Sequence, residues 1–65
     1  MHITLNGASH ATDSPTLADL VTELSLTPKG TAVAVGGAVI PHDRWSDTAL
    51  REGDVVDVLT AIQGG

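Results

Sequence analysis

Met1-His2-Ile3-Thr4-Leu5-Asn6-Gly7-Ala8-Ser9-His10-Ala11-Thr12 opens the chain, and the reading of this stretch decides the fold. Asn6-Gly7 sits between two short alternating runs. Both central residues of a type I′ turn take φ > 0, which Asn and Gly tolerate best. A two-residue turn also sets the register: Leu5 opposes Ala8, Ile3 opposes His10 and His2 opposes Ala11. Strand alternation then gives Met1, Ile3 and Leu5 one buried face and sends His2 and Thr4 to the other. The stretch therefore predicts a β-hairpin, Met1 to Leu5 paired with Ala8 to Thr12.

Outward from the hairpin, Leu17, Leu20, Val21 and Leu24 follow the i, i+3, i+4, i+7 spacing of one helix stripe. Two starts compete. Thr16 with Asp19 resembles a capping box, and Ser14 can instead cap with Pro15 at the first helical position. Thr27-Pro28 and Gly30 are read as ending the helix. Thr31 to Val35 alternates again, with Val33 and Val35 inward and Ala32 and Ala34 outward. Gly36-Gly37 makes a second tight turn into Ala38-Val39-Ile40, which Pro41 stops. His42 to Glu52 reads as irregular, anchored by Trp45 and Leu50, and Gly53-Asp54 turns the chain into a last strand from Val55 to Ile62. Two hairpins, one helix, a loop and a strand give an α+β layered domain over residues 1–65. No repeat or low-complexity segment interrupts it.

Composition bounds the function. Sixty-five residues without cysteine leave neither a disulfide nor a thiolate metal site to hold the fold, and little interior for a substrate pocket. Trp45 is the only aromatic, whereas base-stacking surfaces need several. Lys29, Arg44 and Arg51 face eight carboxylates, for a net charge of −5. Such a chain repels nucleic acid and anionic lipid and suits a partner with a basic face. With no charged leader and no long apolar run, neither nucleic acid nor membrane is an expected partner, and the expected location is cytoplasmic.

The last strand carries the site reading. Asp57 belongs in water, because a buried unpaired carboxylate is costly. Alternation then turns Val56 and Val58 inward and leaves Val55, Leu59 and Ala61 outward, beside His2, Thr4, Ala32 and Ala34 if those strands are neighbours. We read that face, with Ile62, as a docking surface next to a tail. Residues 62–65 form the expected flexible tail, in which Gln63-Gly64-Gly65 makes a sterically bare arm. Such an arm threads a channel too narrow for side chains and presents its carboxylate to a buried reactive group. A carboxylate is a poor electrophile until activated, and adenylation would supply the leaving group.

The hairpin, the Thr16-Leu17-x-x-Leu20-Val21 helix and the glycine turn resemble the β-grasp, ubiquitin-like fold, a mixed sheet of about five strands on one helix. Val39-Ile40-Pro41-His42-Asp43-Arg44-Trp45, then Leu50-x-x-Gly53-Asp54-x-Val56 and a terminal Gly64-Gly65, resemble the ThiS family of sulfur carriers over essentially the whole chain. The resemblance implies a carrier cycle. An E1-like adenylating enzyme of the ThiF type would adenylate the Gly65 carboxylate, using ATP and Mg. A persulfide sulfur, delivered by a donor such as a cysteine desulfurase, would replace AMP and leave a thiocarboxylate. Thiazole synthase of the ThiG type would take that sulfur for thiamin biosynthesis. The carrier would bind no cofactor and contribute no catalytic side chain: Gly65 is modified, and Gly64 and Gln63 thread. Gln63 is bulkier than the small residue often found before the glycines in this family, and Asp57 lies in a strand that is usually more apolar.

Other features have plainer readings. His10 shares the Ile3 face, His2 points away from it and His42 lies in a distant loop, so the three histidines do not converge on a metal. His10 is read as a sheet-edge residue with its polar tip in water. Ser9, Ser14, Ser25 and Ser46 lack the surroundings of a catalytic nucleophile. Gly36-Gly37 is too short for a phosphate loop. Trp45 reads as a core anchor whose indole N–H finds an acceptor, and Asp54 as a residue that closes its own turn. Asp13, Asp19, Glu23, Asp43 and Asp47 read as solvated surface. Related carriers feeding molybdopterin, cysteine or tungsten-cofactor synthesis, a ubiquitin-like protein modifier and a plain interaction domain are the competing functions.

Overall fold

A computed structural model describes residues 1–60. Its elements run β1 (His2–Leu5), β2 (Ala8–Ala11), α1 (Leu17–Glu23), β3 (Thr31–Val35), β4 (Ala38–Ile40), a 3₁₀ helix (His42–Asp47) and β5 (Val55–Thr60). The five strands form one sheet in the order β2-β1-β5-β3-β4. Each outer pair is a hairpin. The Asn6-Gly7 hairpin has the register its turn dictates, His2↔Ala11, Ile3↔His10 and Leu5↔Ala8, with φ of +50° and +82° at the two turn residues. Gly36 and Gly37, at +59° and +86°, close the β3–β4 hairpin in the same way. The last strand enters between the hairpins, parallel to β1 and antiparallel to β3, and is the central strand of the sheet.

One face of this mixed sheet packs on α1. Ile3, Val33 and Val56 from the three central strands meet Leu17, Leu20 and Val21 from the helix, all at most 2% exposed. Leu24, the fourth member of the stripe, is half-buried against the same cluster. The helix starts at Thr16, which settles the competition between caps: its Oγ1 accepts from the Asp19 N–H at 3.2 Å and donates to Asp19 Oδ2 at 2.9 Å. Asp19, one methylene shorter than Glu, reaches the Thr16 hydroxyl and not the Thr16 N–H, so the cap carries one half of a capping box.

The helix ends earlier than Thr27-Pro28 and Gly30 suggest. Glu23 is its last residue, and Ser25 takes a left-handed φ of +58°. The Ser25 N–H donates to the Thr22 carbonyl and the Leu26 N–H to the Val21 carbonyl, each at 3.0 Å. This is a Schellman cap built on serine where glycine is usual. Leu26 folds back onto the core as the apolar partner of that cap, which is why the reversal precedes the proline.

The stretch read as irregular contains regular structure. Pro41, at φ −60°, leads into six residues of 3₁₀ helix. The turn buries Trp45 to 2% exposure and brings its Nε1–H to the Ile40 carbonyl at 2.9 Å, while His42 sets its ring edge-on to the indole at 4.7 Å. Trp45 is therefore the anchor the sequence predicts. Backbone bonds from Leu17 to Thr48 (3.0 Å) and from Leu50 to Pro15 (2.9 Å) fasten the remainder of the loop to the helix start. Asp54 Oδ2 accepts from the Arg51 N–H at 2.9 Å, closing the turn before β5.

Candidate functional site

The site is built on β5. Val56 is fully buried and Val58 half-buried against the helix side, so Val55, Asp57 and Leu59 are forced outward. Neighbouring strands supply the rest of the outer face. Thr4 pairs with Val55 across the parallel ladder, Ala34 with Asp57 and Ala32 with Leu59 across the antiparallel one. His2 lies two residues before Thr4 on the same face, so the neighbours expected from alternation are brought together. The residue opposite Leu59 is only an alanine, and the leucine is 75% exposed. Val55 is 47% exposed.

Val39 belongs to this face and was missed in the sequence. It pairs with Ala34, projects on the same side and is 73% exposed. The signal was available: a two-residue Gly36-Gly37 turn fixes Val39 opposite Ala34, and Ala34 was already placed outward. Val39, Leu59 and Val55 are the large exposed apolar residues among the described residues, and all three lie on one face of one sheet. They sit around Asp57, whose carboxylate adds negative charge to an apolar surface. Ala61 and Ile62, expected to extend the docking face, and Gln63, Gly64 and Gly65, expected to thread and react, lie outside the described residues.

A polar cluster occupies the helix side of the β2 edge. Ser14 Oγ donates to Glu23 Oε1 at 2.8 Å, Thr12 Oγ1 donates to the same oxygen, and His10 Nε2 lies 2.8 Å from Oε2. Thr12 and Ser14 are buried. The hydrogen bond from Thr12 first, then those from His10 and Ser14, lower the Glu23 pKa from an ordinary 4.5 to about 2. Glu23 is exposed, as expected, but it is also a fastening carboxylate, and the His10 tip, read as reaching only water, meets it in an exposed contact. Glu23 is the last residue of α1, so the cluster ties the hairpin edge to the helix. The adjoining surface cleft, about 630 Å³, is lined by Met1, His2, Thr12, Ser14, Asp19 and Glu23 among others and contains no residue of β5.

Among the described residues no group of three or more His, Cys, Asp or Glu could hold a metal ion. Nor is any helix long and apolar enough to cross a membrane. What the described site offers is an apolar surface on the strand that precedes residues 61–65 in sequence.

Comparison with known proteins places this geometry. The family model described as the ThiS family matches residues 3–65. The sulfur carrier protein ThiS of Thermus thermophilus is 34% identical over 61 residues, covering 94% of this chain and 95% of that protein. The crystal structure of the thiamine biosynthesis protein ThiS from Geobacter metallireducens superposes with a TM-score of 0.84 at 25% identity, over the whole of both chains. Its solution structure gives the same score with 88% of that chain covered. The mixed five-stranded sheet on one helix is thus the β-grasp fold of those proteins, and the chain belongs to the ThiS family.

Proposed function

We propose that this chain is a sulfur carrier for thiazole formation in thiamin biosynthesis, and that its reactive atom is the Gly65 carbonyl carbon. The observation that carries the reading is the family match running through to Gly65, behind a strand with an exposed apolar outer face. The chemistry follows from what a terminal carboxylate lacks. A carboxylate oxygen attacks the α-phosphorus of ATP on an E1-like activating enzyme, with Mg and pyrophosphate as leaving group, and gives an acyl adenylate. A persulfide sulfur then attacks the carbonyl carbon and displaces AMP. Cleavage of the sulfur–sulfur bond by a thiol leaves the thiocarboxylate, which thiazole synthase consumes.

The protein contributes recognition to each step. Val39, Val55 and Leu59 form the described part of the docking face, which Ala61 and Ile62 would extend, and Gln63-Gly64 would thread the partner's channel. With no side chain beyond Cα in its last two residues, the arm fits where an ordinary residue would collide. The net charge of −5 favours a basic rim around the partner's apolar contact. The chain acts as a co-substrate rather than a catalyst. A strain lacking this chain should grow on added thiazole, and the wild-type chain, but not one lacking Gly64-Gly65, should restore growth without it. Rescue by the truncated chain would overturn the carrier reading.

A further inference from the structure

Asn6 makes a contact that a turn residue does not need. In a parallel pair every second residue of one strand bonds two residues of the other, through its N–H and its carbonyl. Along the β1–β5 ladder Thr4 N–H donates to the Asp54 carbonyl at 2.8 Å and Asn6 N–H to the Val56 carbonyl at 2.9 Å. The next rung requires an acceptor for the Val58 N–H. At φ +50° the Asn6 backbone has left strand conformation for the turn, and the acceptor is the side chain: Asn6 Oδ1 receives the Val58 N–H at 2.7 Å. The amide carbonyl of the side chain stands where the next main-chain carbonyl of a continuing β1 would stand.

The position of this bond gives it a role. β1 ends at Leu5, so on that side Asn6 is, among the described residues, the last group hydrogen-bonded to β5. Beyond Val58 the described strand is paired to β3 alone, through Ala32↔Leu59 and Thr31↔Thr60. Leu59 and Thr60 lead directly to residues 61–65. On the carrier reading above, we propose that Asn6 is a positioning residue for the reactive end. By capping the β1–β5 ladder at Val58 it fixes the last residues of β5, from Val58 through the exposed Leu59 to Thr60, the strand end from which residues 61–65 follow in sequence.

Substitution separates the two duties of Asn6. Glycine is at home in a type I′ turn but offers no acceptor, whereas aspartate keeps both the turn and the oxygen. In Asn6→Gly the amide of Val58 should exchange with solvent roughly three- to tenfold faster, the effect of one net hydrogen bond, with Val56 within about twofold of wild type. The KM of the carrier for its adenylating enzyme should rise by a similar factor with kcat within about twofold, because the end of β5 that carries Leu59 is engaged at docking rather than during chemistry. Asn6→Asp should restore both. Unchanged Val58 exchange in Asn6→Gly overturns the proposal, as does faster exchange with an unchanged KM, which would make the bond merely structural. If the wild-type chain is not adenylated at all, the carrier reading fails and the positioning role falls with it.

Discussion

Replacing Leu59 by alanine separates docking from folding, because the structure assigns the side chain almost no part in the core. Leu59 is 75% exposed, and alanine keeps the strand and its pairing with Ala32. Surface changes of this kind alter stability by about 0.5 kcal/mol or less. Docking is another matter. Fully burying a leucine is worth about 1.5–3 kcal/mol, and three-quarters of that surface is still available to a partner, which leaves about 1–2 kcal/mol for the interface. That corresponds to a loss of affinity of roughly five- to thirtyfold. Calorimetric titration of the carrier against its adenylating enzyme reads the affinity, and a thermal melt followed by Trp45 fluorescence reads the fold. The expected outcome is a weakened complex with an unshifted melt. Affinity within twofold of wild type, with the fold intact, would refute the assignment of this face to docking.

Trp45→Ala removes a side chain that is 2% exposed and should cost about 3–5 kcal/mol, comparable with the whole stability of a domain this small. Trp45→Phe, which loses the bond to the Ile40 carbonyl, should lower the melting temperature by roughly 5–15 °C by circular dichroism, and no shift would mean the indole N–H is not engaged. The Glu23 pKa is lowered in the folded state, so its contribution is fully present above 4.5 and is lost as pH falls toward about 2. Glu23→Gln should therefore melt below wild type at neutral pH, with the two curves converging across that interval; parallel curves would contradict the assigned bonds. Ser25→Gly relieves a φ of +58° and should raise stability by about 0.5–1 kcal/mol, read from the denaturant midpoint.

Much of this architecture was legible because local rules and the global fold agree. Asn6-Gly7 dictated the first hairpin residue for residue, and the i, i+3, i+4 stripe found the helix face. The parity of β5 followed from one charge, Asp57, and it placed Val55 and Leu59 outward before any neighbour was known. The failures are equally physical. Ser25 ends the helix in a backbone conformation that carries no strong serine signature, and the obvious breakers lie further on. The 3₁₀ turn around Trp45 is fixed by burial of one indole rather than by any periodicity. The fastening role of the exposed Glu23 was not legible because its three partners lie 9 to 13 residues away, on elements whose packing no local pattern encodes. Asn6 gave its turn role away at once, but its bond to Val58 spans 52 residues and depends on the sheet order.

The reading of the reactive end rests on family membership and on the strand that leads to it. Its centre is a claim about one bond at one atom. Incubation of the purified chain with its adenylating enzyme, ATP, Mg and a persulfide donor, followed by intact-mass and fragment analysis, addresses that bond directly. The account predicts a mass increase equal to the exchange of one oxygen for sulfur, localised to Gly65 and dependent on ATP. A chain that stays unmodified under those conditions, or acquires sulfur elsewhere than Gly65, would contradict it.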